Sequence, residues 1–172
     1  GMDSKEFPPL PELEDRKSTE IRRDELIQML KSVSFAQSVN EERYMLKGVF
    51  FQFEEETLSL VATDGRRLAV ANRLMKSEDH SQGEFILPSF TVNELEKLPK
   101  TGDKLYISFT DRQVAIDLKV NTSEEEDQGF RNSVYLVSKV VEGKYPNYKQ
   151  VIPKDDFKSA TIERELMQEC VY

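Results

Sequence analysis

The sequence has one cysteine, Cys170, one histidine, His80, and no tryptophan. A single cysteine cannot close an internal disulfide, and a reducing cytoplasmic setting fits that usage. One histidine and one cysteine cannot assemble the nitrogen and sulfur ligands of a zinc-type cluster, so no metal is expected. His80 lies in the polar stretch Ser77-Glu78-Asp79-His80-Ser81, which reads as an exposed loop and not as a ligand or general base. No apolar run approaches the roughly 20 residues of a membrane span. No signal peptide is visible, because the start is acidic and rich in proline. A glycine-rich phosphate loop and a nucleophile elbow are both missing, and no residue pattern implies a cofactor. Carboxylates are plentiful, but nothing in the spacing brings one particular pair together for acid–base chemistry. The net charge of −8 excludes a general nucleic-acid binder that works by bulk basicity, while leaving room for a few basic residues on one face.

At 172 residues the chain suits one domain with attached flanks, or at most two small domains. A chain of that size buries enough apolar surface to need neither disulfide nor metal. The 33% charged content, set against 38% hydrophobic, points to a soluble domain with a well-solvated surface. Gly1-Met2 reads as an expression scar, and Pro8, Pro9 and Pro11 favour an extended lead-in. Lys17 to Ile21 fits a short strand. Asp24 to Phe35 reads as a helix, with Leu26, Ile27, Leu30 and Val33 on one face and Asp24 and Glu25 where a helix start favours negative charge.

From Leu46 to Ala71 the pattern is β, with Leu58, Leu60 and Ala62 alternating with Ser59, Val61 and Thr63. Asp64-Gly65 is a strong turn signal. Phe85 to Leu87 forms a further strand that stops at Pro88, and Val92, Leu95 and Leu98 give the stripe of a short helix ended near Pro99 and Gly102. Leu105, Ile107 and Phe109, then Asp111-Arg112, then Val114, Ile116, Leu118 and Val120 describe a hairpin. A polar loop from Asn121 to Asn132, with Glu124 to Asp127 at its acidic centre, leads into a last strand from Val134 to Val141. The expected order is β-α-β-β-β-α-β-β-β, an α+β domain with an antiparallel sheet and two helices on one face.

The ends share a pattern. Lys17-Ser18-Thr19-Glu20-Ile21-Arg22-Arg23-Asp24-Glu25-Leu26 parallels Lys158-Ser159-Ala160-Thr161-Ile162-Glu163-Arg164-Glu165-Leu166. Lysine, serine, isoleucine and arginine match in register, and Glu-Leu matches after a one-residue gap. A second copy of the unit is expected to begin near Lys158. The expected divisions are 1–13 as scar and linker, 14–153 as the domain, and 154–172 as the truncated start of another.

Taken alone, Asp64-Gly65-Arg66-Arg67-Leu68 is a hairpin turn with exposed arginines, and Tyr145-Pro146-Asn147-Tyr148 is a rigid aromatic turn. Together they say more. Arg43-Tyr44-Met45-Leu46-Lys47-Gly48-Val49 is followed by Leu60-Val61-Ala62-Thr63-Asp64-Gly65-Arg66-Arg67-Leu68-Ala69. Then come Ser138 to Tyr148, with Gly143-Lys144-Tyr145-Pro146-Asn147-Tyr148, and Val151-Ile152-Pro153. This series closely resembles the central domain of bacterial DNA polymerase III beta subunits, the DNA sliding clamps, over roughly Phe7 to Pro153.

The resemblance implies three similar domains per chain and two chains joined head to tail in a ring around duplex DNA. The repeat near Lys158 would then open the third domain. It also implies a cytoplasmic processivity scaffold for DNA replication with no catalysis of its own. Its partners would be DNA held without sequence readout, the polymerase III catalytic subunit, the clamp loader and other proteins carrying a clamp-binding motif. That motif is a short peptide with glutamine and leucine that ends in an aromatic residue. The matching pocket positions are Leu46, Thr63, Gly65, Arg66, Arg67, Leu68, Pro146 and Val151. Leu46, Leu68, Pro146 and Val151 would supply apolar walls, Gly65 would let a peptide backbone approach, and Arg67 would stack its stem or bond a peptide carbonyl.

The same resemblance puts the two helices at the hole, with Lys31, Lys97 and Lys100 as candidates for DNA, beside Glu25, Glu94 and Glu96. Asn40, Arg43, Tyr44 and Met45 match a loop that can touch DNA. Met45 stands where many relatives have tyrosine, Arg66 where histidine is common, and the acidic hairpin around Glu124 to Asp127 is longer than in many relatives. A stand-alone peptide-binding module without DNA encirclement is the alternative reading, and an enzyme built on a carboxylate pair ranks below both.

Overall fold

The computed structural model describes residues 18–75, 82–98, 104–119, 133–153 and 160–171. His80, Lys100, the 1–13 lead-in and the acidic 121–132 stretch lie outside the described residues. Strand β1 (Ser18–Arg22) runs directly into helix α1 (Arg23–Val33), and a 3-10 turn (Ser34–Ala36) extends the helix. The α1 stripe is as the spacing predicts: Leu26, Leu30 and Val33 are fully buried and Ile27 nearly so. No side chain caps α1, but Asp24 and Glu25 occupy its first turn, where carboxylates oppose the helix dipole. Arg23 is buried. Its guanidinium donates to the Leu98 carbonyl at 2.9 Å and to Asp24 at 2.7 Å, tying the start of α1 to the end of the second helix.

Between the helices lie β2 (Gly48–Glu54), β3 (Thr57–Thr63), β4 (Leu68–Leu74) and β5 (Gly83–Pro88). The sequence predicts three strands there, and the structure has four. The missed boundary is a two-residue turn at Glu55-Glu56, with Glu54 opposite Thr57. It contains none of the glycine, proline or asparagine that marks a turn, and Glu55 reaches it by adopting φ 44°. After β5 come α2 (Ser89–Glu96), β6 (Lys104–Phe109), β7 (Gln113–Lys119) and β8 (Ser133–Lys139).

The α+β class and the antiparallel pairing are as expected, but the strands divide into two four-stranded sheets, β1-β6-β7-β8 and β4-β3-β2-β5. The element order β-α-β-β-β occurs twice, as β1-α1-β2-β3-β4 and β5-α2-β6-β7-β8. The two halves exchange their first strands: β1 pairs with β6, and β5 pairs with β2.

One core joins both sheets and both helices, with Leu26 and Leu30 of α1 and Leu95 of α2 packed with Phe51, Leu60, Ile107 and Leu118. Each such side chain fully buried contributes about 1.5–3 kcal/mol. The expected alternation in β3 places Leu58, Leu60 and Ala62 in this core, but Ser59 and Val61 on the opposite face are buried as well. That second face carries its own apolar cluster, built with residues from beyond β8.

Helix α3 (Arg164–Val171) has no buried residue, and Leu166, Met167 and Val171 are exposed. No helix among the described residues is long and apolar enough to cross a membrane.

Candidate functional site

The turn joining β3 to β4 is organised by Asp64. Its Oδ1 accepts the backbone N–H groups of Arg66 at 2.9 Å and Arg67 at 3.0 Å, and its Oδ2 accepts Nε of Arg67 at 3.1 Å. The Arg66 and Arg67 backbone donors hold the Asp64 carboxyl below its ordinary value, and the Arg67 charge adds to them. Thr63 closes the turn from the other side: its hydroxyl donates to the Arg67 carbonyl at 2.6 Å and accepts the Gly65 N–H at 3.0 Å. Gly65 sits at φ 85°, a left-handed conformation that favours glycine. A side-chain carbon on Gly65 would collide with the Arg43 guanidinium, which donates from Nη1 to the Asp64 carbonyl at 3.1 Å. Arg43 thus fills the space that a side chain at Gly65 would need. The guanidinium carbon of Arg67 lies 5.7 Å above the centre of the exposed Phe35 ring.

Beside this turn lies the apolar cluster on the second face of the β4-β3-β2-β5 sheet. Phe50 of β2, Val61 of β3 and Ile86 of β5 point to that face, and Leu46, Tyr145 and Tyr148 cover them. Met45, Leu68 and Val141 pack against the rim. The Tyr145 ring stacks on Phe50 at 4.7 Å with the planes 4° apart, and Tyr148 meets Phe50 edge-on at 6.3 Å. Tyr148 donates its hydroxyl to Gln52 Oε1 at 3.0 Å. Burial pushes the Tyr145 phenol up to about 12, and the Thr63 backbone N–H opposes that shift without a hydrogen bond of good geometry. The segment that delivers these tyrosines is led in by backbone bonds, from the Val140 N–H to the Arg112 carbonyl and from the Val141 N–H to the Ile86 carbonyl. Gly143 follows at φ 120°, where an added side-chain carbon would lie 2.6 Å from Met45 Sδ.

The structure thus brings Leu46 and Leu68 into one cluster and sets Thr63, Gly65, Arg66 and Arg67 along its edge. Pro146 and Val151 are exposed, on the segment that Tyr145 and Tyr148 anchor. Phe35, Phe50, Val61 and Ile86 belong to the neighbourhood but were not singled out from the sequence. Only the alternation of β3, which puts Val61 opposite the Leu58–Ala62 face, signalled any of them.

The candidates for nucleic-acid contact are spread more widely. Asn40 starts the 3-10 segment Glu41–Leu46 and accepts the Glu42 N–H at 2.9 Å. Tyr44 is exposed, and Met45 is half-buried against the cluster. A recess of about 330 Å³ brings Asn40 and Arg43 together with Asp64, Arg66 and Arg67, so the two sets of candidates share a wall. Lys31 is exposed at the end of α1, whereas Lys97, just past α2, forms an exposed ion pair with Glu94 at 2.9 Å. Among the described residues no group of three or more histidines, cysteines and carboxylates could hold a metal ion.

A family model described as DNA polymerase III beta subunit, central domain, matches residues 20–147. The chain is 30% identical to the beta sliding clamp of Synechococcus elongatus, over 96% of this chain and 42% of that protein. It is 28% identical to the beta sliding clamp of Bacillus subtilis, over 90% of this chain and 38% of that protein. The crystal structure of the B. subtilis DNA polymerase sliding clamp superposes with a TM-score of 0.74 at 27% identity, over 90% of this chain and 37% of that one. That of the C. crescentus beta sliding clamp gives 0.73 at 27% identity, over 91% and 40%. The chain therefore spans about two fifths of the length of the relatives it matches. On the family match and the shared fold, this chain belongs to the DNA polymerase III beta subunit family and represents its central domain.

Proposed function

We propose that this chain is the middle unit of a DNA sliding clamp, a non-catalytic scaffold that encircles duplex DNA and tethers the replicative polymerase. The observation that carries the reading is the half-buried Leu68, packed on the edge of the covered Phe50 cluster and flanked by the exposed arginines of the Thr63–Leu68 turn, with Pro146 and Val151 exposed on the segment that covers the cluster. Such a site suits a short peptide with apolar anchors: Leu46 and Leu68 offer walls, and Arg66 and Arg67 offer a cationic rim. The partners are the polymerase III catalytic subunit, the clamp loader and other carriers of the motif, in a homodimeric ring in the cytoplasm. A closed ring needs no base readout and no high affinity for DNA. It acts by raising the effective concentration of polymerase at the primer end. That requirement fits the sparse basic charge among the described residues of α1 and α2, where Lys31 is exposed and Lys97, just past α2, is paired with Glu94.

Residues 14–153 form the middle unit, 1–13 its linker, and 154–172 the start of a third unit. Helix α3 supports the last assignment. Its Glu165-Leu166-Met167-Gln168 repeats Glu25-Leu26-Ile27-Gln28 of α1, and Leu166 and Met167, exposed here, correspond to the buried Leu26 and Ile27.

The test is Leu68→Ala in the protein of full length. Primer extension by the cognate polymerase is expected to lose its stimulation while circular dichroism shows an unchanged fold. Full stimulation by the variant refutes the pocket.

A further inference from the structure

The Glu41–Leu46 segment touches both walls of the proposed pocket. On one side Arg43 donates to the Asp64 carbonyl at 3.1 Å and fills the space beside Gly65. On the other, Gly143 leaves room for Met45 Sδ and for the Tyr44 hydroxyl, 2.6 Å and 3.6 Å from where its side-chain carbon would stand. The two glycines both have positive φ, 85° and 120°, and both face this one segment. Two walls that are far apart in sequence are thus set against a common wedge. Leu46, the last residue of the wedge, is itself part of the cluster.

We propose that Arg43 is a positioning residue of the partner pocket, acting through the Asp64 carbonyl to hold the Thr63–Leu68 turn in its binding shape. The inference rests on the partner-pocket reading above and reassigns Arg43 from DNA contact to that task. The turn satisfies most of its own polar groups internally, through Asp64 Oδ1 and the Thr63 hydroxyl. Those bonds fix its local curl. The Arg43 bond is different in kind, because it fixes the turn's position relative to the segment bearing Leu46. A guanidinium suits this role: its planar fork can donate to a carbonyl while its flat face lies over a residue without a side chain. Losing the bond leaves the curl intact and frees the whole turn to shift against Leu46 and Leu68, which a peptide would feel as a loss of preorganisation.

The experiment titrates a fluorescein-labelled peptide carrying glutamine, leucine and a terminal phenylalanine against the protein of full length as wild type, Arg43→Ala, Arg43→Lys, Gly65→Ala and the Arg43→Ala/Gly65→Ala pair. Fluorescence polarisation gives Kd, and thermal melts report the fold. Arg43→Ala is expected to weaken binding about five-fold, the weight of one hydrogen bond, at an unchanged Tm. Arg43→Lys, which keeps a donor but loses the fork, should recover part of that loss. Gly65→Ala should cost less in the Arg43→Ala background than in the wild type, because the displaced group is already gone. Equal affinity of Arg43→Ala and wild type overturns the inference alone, as does strict multiplication of the two losses. Undiminished peptide binding with a salt slope for a labelled duplex reduced by about one also overturns it, since that is the signature of a phosphate contact. A wild-type protein of full length that binds no peptide overturns the pocket reading itself, and this inference with it.

Discussion

Tyr145 makes the wall of the proposed pocket sensitive to alkali. Its ring stacks on Phe50 inside the cluster, and burial raises its phenol from 10.0 to about 12. The folded chain therefore holds this proton more tightly than the unfolded chain does. The contribution to stability is fully present below about pH 10 and is lost as pH rises through about 12. The gap between those values corresponds to about 2–3 kcal/mol. Tyr145→Phe keeps the stacked ring and removes the titrating group. Near neutral pH the variant should unfold within about 1 kcal/mol of the wild type, because the hydroxyl makes no hydrogen bond of good geometry. Urea unfolding of both proteins from pH 8 to pH 11.5 reads the effect, and other titrating groups cancel in the difference. The wild type should lose stability relative to the variant steadily above about pH 10. Parallel stability curves across that range would refute the argument that burial keeps this phenol neutral.

Phe50→Ala removes the floor of the same cluster and both ring contacts of Tyr145 and Tyr148. It should cost about 3–5 kcal/mol in urea unfolding, and a cost below about 1 kcal/mol would mean that the second sheet face is not a true core. Cys170 is exposed here and stands at the position of α3 that matches the buried Leu30 of α1. Its reaction with a thiol reagent should be fast in this chain and strongly slowed in a protein that continues through a complete third unit; equal rates would contradict the proposed repeat.

What could be read from the sequence follows from where each signal resides. The stripe of α1 and the hairpin of β6 and β7 are local patterns whose periodicity survives folding unchanged. The Asp64-Gly65 turn was visible because its glycine has a conformational reason to be there. The Glu55 turn was not, because a run of three glutamates looks like a solvated face and its positive φ is imposed by the hairpin around it. The burial of Val61 depends on tyrosines far along the chain, which no window around β3 contains. The site shows the same division. The resemblance points to Leu46, Leu68 and the arginines, whereas the contact of Arg43 with the Gly65 turn depends on two segments 21 residues apart in the chain and so has no local signal. The repeat within the domain lies in the order and pairing of strands and not in matching residues, so it leaves no mark in the sequence.

The exchange of first strands between the two halves has a kinetic consequence. Neither sheet can be completed by one half of the chain: Ser18 must find Ser108, and Gly48 must find Pro88. Closing such distant pairings costs loop entropy before they return any stability, so this topology is expected to fold slowly. Unfolding should be correspondingly all-or-none, because peeling β1 from β6 or β5 from β2 opens the core that both halves share. In a unit knitted in this way neither half holds a complete sheet that could stay folded while the other opens.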